Sequence, residues 1–233
     1  MNICIIPARG GSNRIPYKNI KEFNGKPMIA YSIEAANKSN CFDRVIVSTD
    51  DDEIAKIARL YGAEVPFLRP DELSDNHVGT LPVIKHAIEW VDRKNSDQVD
   101  YVCCLYATAP FLKAQAIASA FEQLQVLKAE YCLAVTSFAF PIQRAVKLTS
   151  QNKLEMFYPD YVNTRSQDLE EGYHDAGQFC WGKVDAFRAM RPIFSELTCP
   201  FVLPKHLVQD IDTPEDWKRA ELTFKVLKKM GEL

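Results

Sequence analysis

Short apolar runs rich in β-branched residues alternate along this chain with segments of helical period, and that alternation restricts the fold more than any other feature. Asn2 to Ile6, Val45 to Ser48, Tyr101 to Leu105 and Tyr131 to Thr136 read as strands. Between them, apolar residues recur at helical spacing: Met28, Tyr31 and Ala35; Ile54, Ile57, Ala58 and Tyr61; Ile84, Ala87, Ile88 and Val91; Ile117, Phe121 and Leu124. Strands spaced by helices in this way predict βαβ units, an α/β fold and a mainly parallel sheet. Tyr101 to Leu105 is almost wholly apolar and should lie inside that sheet, covered on both faces. Pro27, Thr80 and Thr213-Pro214 mark helix starts, and Gly62 marks a helix end. The helix after Pro214 presents Trp217, Ala220, Phe224 and Leu227 inward.

Smaller elements complete the reading. Ala63 to Phe67 can form a short edge strand, Gln178 to Trp181 a return strand, Asp185 to Met190 a short helix and Phe201 to Leu203 a last strand. From Phe138 to Tyr173 the texture turns short, mixed and turn-rich, which predicts an excursion from the core. The whole chain reads as a single domain, with residues 140–172 inserted in it as a flap.

Ligands of parallel sheets bind beyond the carboxyl ends of the strands. The loops around Arg9, Asp50, Thr108 and Asp210 all follow candidate strands and should converge on one rim. In the first loop, Arg9, Arg14 and Lys18 gather cations, Gly10 and Gly11 permit close backbone approach, and Ser12 can donate to phosphate oxygens. Arginine forks and a compact lysine charge suit a triphosphate. The loop lacks the Gly-Lys-Ser/Thr ending of a P-loop and the third glycine of a dinucleotide fingerprint. Asp210 and Asp212 flank Ile211 just after a predicted strand, so their carboxylates should share a face and could hold Mg2+ against phosphates. Asp50, Asp51 and Asp52 form a rival metal cluster, and the residues alone leave both open.

Composition removes other classes. A net charge of -3 gives no basic face for a nucleic acid. The 7 cysteines include no C-x-x-C pair and sit mostly in apolar runs, which predicts free buried thiols rather than a disulfide framework or a zinc knuckle. The sequence shows neither a leader pattern nor an apolar run long enough for a bilayer, so no membrane partner and a cytoplasmic location are expected.

The run from Ile6 to Asn19, Ile-Pro-Ala-Arg-Gly-Gly-Ser-Asn-Arg-Ile-Pro-Tyr-Lys-Asn, resembles the signature loop of the acylneuraminate cytidylyltransferases. Arg69 to Asp75 resembles the nucleotide-base segment of that family, Thr108-Ala109-Pro110 its Thr-Ser-Pro turn, and Gln209 to Asp216 its metal-binding end. These blocks span nearly the whole chain in order. The resemblance implies the nucleotide-diphospho-sugar-transferase variant of the Rossmann-like sheet, and a homodimer in which the excursion reaches over the partner's site. It implies that the nucleotide, CTP, is held by Ala8, Arg9, Gly10, Ser12, Lys18 and Asn19, with Arg69, Ser74 and Thr80 around the cytidine. Mg2+ would sit on Asp210 and Asp212, and Arg9, Lys18 and Asp212 would carry the transfer. The second substrate would be a small acidic sugar. Tyr106-Ala107-Thr108-Ala109-Pro110-Phe111 and Tyr173 to Phe179 depart from the sialic acid pattern and are more similar to the branch that activates pseudaminic acid, a sugar with less hydroxyl and more methyl at its far end. By position, Tyr106, Thr108, His174 and Phe179 would line the sugar pocket, and Arg165, Gln167 or Gln178 would take the sugar carboxylate.

Overall fold

The computed structural model describes residues 1–12, 14–75, 77–94 and 98–233. β1 (Asn2–Pro7) leads through two paired short strands, β2 (Glu22–Phe23) and β3 (Lys26–Pro27), into α1 (Met28–Ser39). β4 (Arg44–Ser48), α2 (Asp52–Leu60), α3 (Thr80–Lys94), β5 (Tyr101–Leu105), α4 (Ala114–Val126) and β6 (Tyr131–Ser137) follow. The excursion carries a hairpin of β7 (Val146–Leu148) and β8 (Leu154–Met156). β9 (Tyr173–Lys183), α5 (Val184–Arg188), β10 (Thr198–Val202) and α6 (Pro214–Lys229) close the chain.

The central sheet has the order β10-β6-β9-β5-β1-β4. β4 and β5 run parallel to β1, and β10 runs parallel to β6. β9 is the exception, antiparallel to both of its neighbours, β5 and β6. This is the expected mainly parallel α/β sheet, with β5 inside it. Helices cover both faces, so alternate strand residues enter different cores. Cys4, Ile6, Cys103 and Leu105 pack on the side of α1, α2 and α4, while Ile3, Ile5, Val102 and Cys104 pack on the side of α3. Trp181 is a core anchor, stacked between Phe42 and Phe121 at centroid distances of 4.8 and 4.5 Å.

A third apolar cluster does the work that matters for function. Phe23, between the first loop and α1, makes edge contacts with Trp217 and Phe224 of α6, each at 5.4 Å. Those aromatic contacts fasten the end of the chain beside its beginning. α6 itself starts on a reciprocal cap: the Thr213 hydroxyl accepts from the Asp216 amide, and the Asp216 carboxylate accepts from the Thr213 amide.

Several expectations need correction. Ala63 to Phe67 is not a strand: the Glu64 amide donates to the Val45 carbonyl of β4 and the Val47 amide of β4 donates to the Glu64 carbonyl, but the contact is an isolated bridge. Pro66 removes the next donor. The return strand is longer than expected, Tyr173–Lys183 rather than Gln178 to Trp181. β10 begins at Thr198, ahead of Phe201. Asp210 and Asp212 do not directly follow it, because a 3-10 turn at Lys205–Leu207 intervenes.

Candidate active site

The first loop is held by its own backbone. The Ala8 amide donates to the Ser48 carbonyl at 2.9 Å, and the Gly10 amide donates to Asp50 Oδ1 at 2.9 Å. A Cβ on Gly10 would come within 2.8 Å of Asp51 Oδ2, so this position requires glycine for close approach to α2. Asn19 donates its side-chain amide to the Arg9 carbonyl at 3.0 Å, and Arg9 Nη1 reaches the Asp75 carbonyl at 3.1 Å. Lys18 Nζ donates to the Ile211 carbonyl at 2.8 Å and to Asp212 Oδ1 at 3.2 Å, and Arg14 pairs with Asp212 at 2.7 Å. The cations from the start of the chain and the carboxylate from its end therefore share one surface.

They line two adjoining cavities. The first, of about 540 Å3, is bounded by Arg9, Ser12, Lys18, Asn19, Arg69, Thr80, Tyr106 and Thr108, among others. The second, of about 1030 Å3, takes in His174, Asp175, Ala176, Gly177, Val208, Asp210 and Arg219. Arg14, Lys18, Tyr106, Thr108 and Asp212 belong to both and form the seam. Tyr106 is fixed there by its backbone, which donates to the Gln178 carbonyl at 2.9 Å and accepts from Ser32 Oγ at 2.7 Å. Burial raises the Tyr106 phenol well above its ordinary pKa, and its side chain hydrogen-bonds Thr80, so it acts as a neutral hydroxyl.

Arg69 is the most informative wall residue. Its side chain is buried (the residue is 5% exposed), yet Nε and Nη2 have no hydrogen-bond partner among the described residues. Asp50 stands 3.6 Å away, too far for a hydrogen bond. Burial lowers the guanidinium pKa and Asp50 opposes that shift. Buried donors left unpaired are costly, and here they border a cavity of ligand size. An oxygen-bearing ligand would complete them.

The acidic pair can now be weighed against its rival. Asp51 caps α2 by accepting from the Ile54 amide, and Asp50 accepts from the Gly10 amide, so these two members of the Asp50 to Asp52 cluster have structural roles, while Asp52 is exposed in the first turn of α2. The Asp210 carboxyl is raised above the usual range by burial and then by neighbouring Asp212. Two carboxylates that oppose each other's charge beside a cation-rich cleft fit a divalent metal that also takes phosphate oxygens. Among the described residues no larger group of metal ligands exists.

Other expected site residues lie elsewhere. Ala8 is buried just past the end of β1 and does not line the cleft, and Gly10 acts through the shape of the loop. Ser74 turns its hydroxyl to the Pro70 carbonyl at 3.0 Å, while its neighbours Leu73 and Asp75 face the cavity. Phe179 is fully buried beside Phe201 and is core, not a sugar contact. Gln178 is also buried and donates to the Leu207 carbonyl at 2.5 Å. Both follow from β9 being an interior strand covered on both faces. Arg165 and Gln167 sit exposed on the excursion, away from this chain's cleft, with Arg165 paired to Asp168 at 2.7 Å. Asp175, Ala176 and Gly177, which lie within the Tyr173 to Phe179 stretch that departs from the sialic acid pattern, line the second cavity beside His174. A register break opposite Leu133 and Val135 bulges β9 there, and Gly177 takes a positive φ of 61° while its amide donates to Asp175 Oδ1.

A mixed sheet with its triphosphate-sized, cation-lined cleft at the strand ends marks a nucleotide-handling α/β protein. Comparison with known proteins narrows that class: the cytidylyltransferase family model matches residues 3–175, and the chain belongs to that family. Over 225 residues it is 46% identical to the pseudaminic acid cytidylyltransferase of Campylobacter jejuni, with 97% of each chain covered. It is 32% identical to the CMP-N,N'-diacetyllegionaminic acid synthase of Legionella pneumophila, with 94% of each covered. Among solved structures, a CMP:2-keto-3-deoxy-manno-octonic acid synthetase complexed with CTP superposes with a TM-score of 0.70 at 16% identity, covering 97% of this chain and 98% of that one. The 4-diphosphocytidyl-2C-methyl-D-erythritol synthase of Anaerococcus prevotii gives 0.66 at 13% identity, with 96% of each covered. These two similarities establish the fold.

Proposed function

We propose that this protein transfers CMP from CTP to the anomeric C2 hydroxyl of a nonulosonic acid, and that the sugar is pseudaminic acid. The observation that carries the proposal is the meeting of Lys18 and Asp212 on the seam between two cavities. One cavity suits a nucleotide and the other a sugar. The 46% identity to a relative named for pseudaminic acid supports the choice of sugar. So does the partly apolar lining of the second cavity by Tyr106, Ala176 and Val208.

In this reading the C2 hydroxyl oxygen bonds to the α-phosphorus, the bond to the β-phosphate oxygen breaks, and the hydroxyl proton passes to solvent. Arg9, Ser12 and Lys18 hold the triphosphate and balance charge on the departing pyrophosphate. The Arg69 donors meet the cytidine, with Thr80 nearby. Mg2+ would be held by Asp210 and Asp212 and, when bound, supplies charge neutralisation at the phosphates. Catalysis then rests on placement.

The excursion makes the protein a homodimer in this account. Phe140 and Leu154 there are 81% and 71% exposed, more apolar surface than a monomer needs. Arg165 and Gln167 would then face the partner's site. Among the described residues no helix is long and apolar enough to cross a membrane. Pyrophosphate release from CTP and Mg2+ is to be measured across pseudaminic, legionaminic, sialic and Kdo acids. The fastest turnover is expected with pseudaminic acid; preference for another acid would correct the sugar, and release with none would overturn the transfer.

A further inference from the structure

Resting on the transfer reading, we infer that Arg14 is the residue that binds the sugar's carboxylate and so selects an acidic sugar. The second cavity needs a cation for that carboxylate, and the residues expected to supply one do not. Gln178 is buried and spent on the Leu207 carbonyl, and Arg165 and Gln167 lie outside the cleft of their own chain, so within one chain the cation must come from elsewhere. The cationic candidates that line the cavity are Arg14, Lys18, His174 and Arg219.

Three of these are engaged elsewhere or stand off the seam. Lys18 is only 20% exposed and is tied to both the Ile211 carbonyl and Asp212. Arg219, 62% exposed, has Nη2 on Asp216 Oδ1 at 3.0 Å and Nε on Gln209 Oε1 at 3.0 Å, and it lines the second cavity but not the first. His174 holds the Asp175 carbonyl with Nδ1 and packs on Phe138. Arg14 differs from Arg219 in place rather than in exposure: it lines both cavities, and among the described residues its ion-pair partner is Asp212. It stands on the seam, where a C2 carboxylate must lie if the C2 hydroxyl is to meet the α-phosphate. A guanidinium fork matches a carboxylate in two parallel bonds, which a lysine cannot copy. Arg14 therefore reads the acid while Lys18 and Arg9 serve the triphosphate.

The test compares wild type, Arg14→Ala and Arg14→Lys in pyrophosphate release, with calorimetric CTP binding in the absence of sugar as a second readout. A charge-assisted pair is worth enough that Arg14→Ala should raise the sugar KM roughly 30-fold. Arg14→Lys should fall between it and wild type. CTP affinity should stay within about 3-fold of wild type. A matched set of sugars, one with its carboxylate replaced by a carboxamide, completes a cycle: the amide should weaken wild type strongly and Arg14→Ala little further. An unchanged sugar KM in Arg14→Ala, or a loss of CTP affinity equal to the loss for sugar, overturns the assignment. Wild-type turnover in the same assay keeps that result distinct from a failure of the transfer reading.

Discussion

The walls of the cleft and the excursion beyond Phe138 are built on opposite principles. Each cleft wall hangs from a strand end and is pinned by contacts to residues distant in sequence: Lys18 to Ile211, Gly10 to Asp50, Tyr106 to Gln178 and Ser32. The excursion is pinned mainly to itself, by Gln143 to the Glu170 carbonyl, the Phe157 amide to the Ala145 carbonyl, and Arg144 to the Val162 and Thr164 carbonyls. Its ties back to the core are at its start, where Lys205 donates to the Phe138 carbonyl at 2.9 Å and the Phe138 ring packs on His174 at 4.8 Å. Preorganised donors suit chemistry, where a small displacement costs much rate. An apolar, self-contained projection suits a partner surface.

Arg69→Ala should produce the largest effect on the walls. Removing those buried donors should lower kcat/KM for CTP by at least about 100-fold, measured in steady state, with a melting temperature close to wild type. An unaltered kcat/KM would show that the orphaned donors face nothing the reaction uses. Phe179→Ala separates core from pocket. It should cost about 3–5 kcal/mol of unfolding free energy in denaturant titration while the sugar KM of the folded enzyme stays near wild type. A raised sugar KM without lost stability would restore Phe179 to the site.

On the excursion, the pair Leu148→Ser and Leu154→Ser should change monomer stability by no more than about 0.5 kcal/mol. It should nevertheless shift the sedimenting species from dimer to monomer; an unchanged dimer would move the interface elsewhere. The smallest effect concerns His86, behind the nucleotide wall, where burial first and Arg93 second depress the imidazole pKa. A histidine whose folded pKa lies below its unfolded value contributes stability above about pH 6.5 that is lost as pH falls. Wild type should therefore lose melting temperature between about pH 7.5 and about pH 5.5 (about a unit either side of that value), and His86→Leu should flatten the slope. An identical slope in both would remove His86 from the account.

Much of this arrangement was legible in the sequence because it rests on strong local signals. The β1 run, the turn chemistry after it and the capped start at Thr213 pointed to their positions unaided, and Lys18 and Asp212 do meet. What escaped was set by tertiary context. Phe179 and Gln178 read as pocket residues because sequence cannot show that β9 is covered on both faces, nor that it bulges. Asp175 and Gly177 carried a faint signal, a glycine inside a strand pattern. The acidic run at Asp50 looked like a metal cluster, and only the structure shows Asp50 spent on the Gly10 amide and Asp51 on a helix cap.

All of it depends on the first loop and the last acidic segment acting as one unit on the triphosphate. A double-mutant cycle of Lys18→Met and Asp212→Asn, read as kcat/KM for CTP at saturating sugar, measures that directly. The account predicts strong non-additivity, with the double variant little worse than the poorer single one. Losses that simply multiply would mean that the two ends of the chain act independently, and would contradict it.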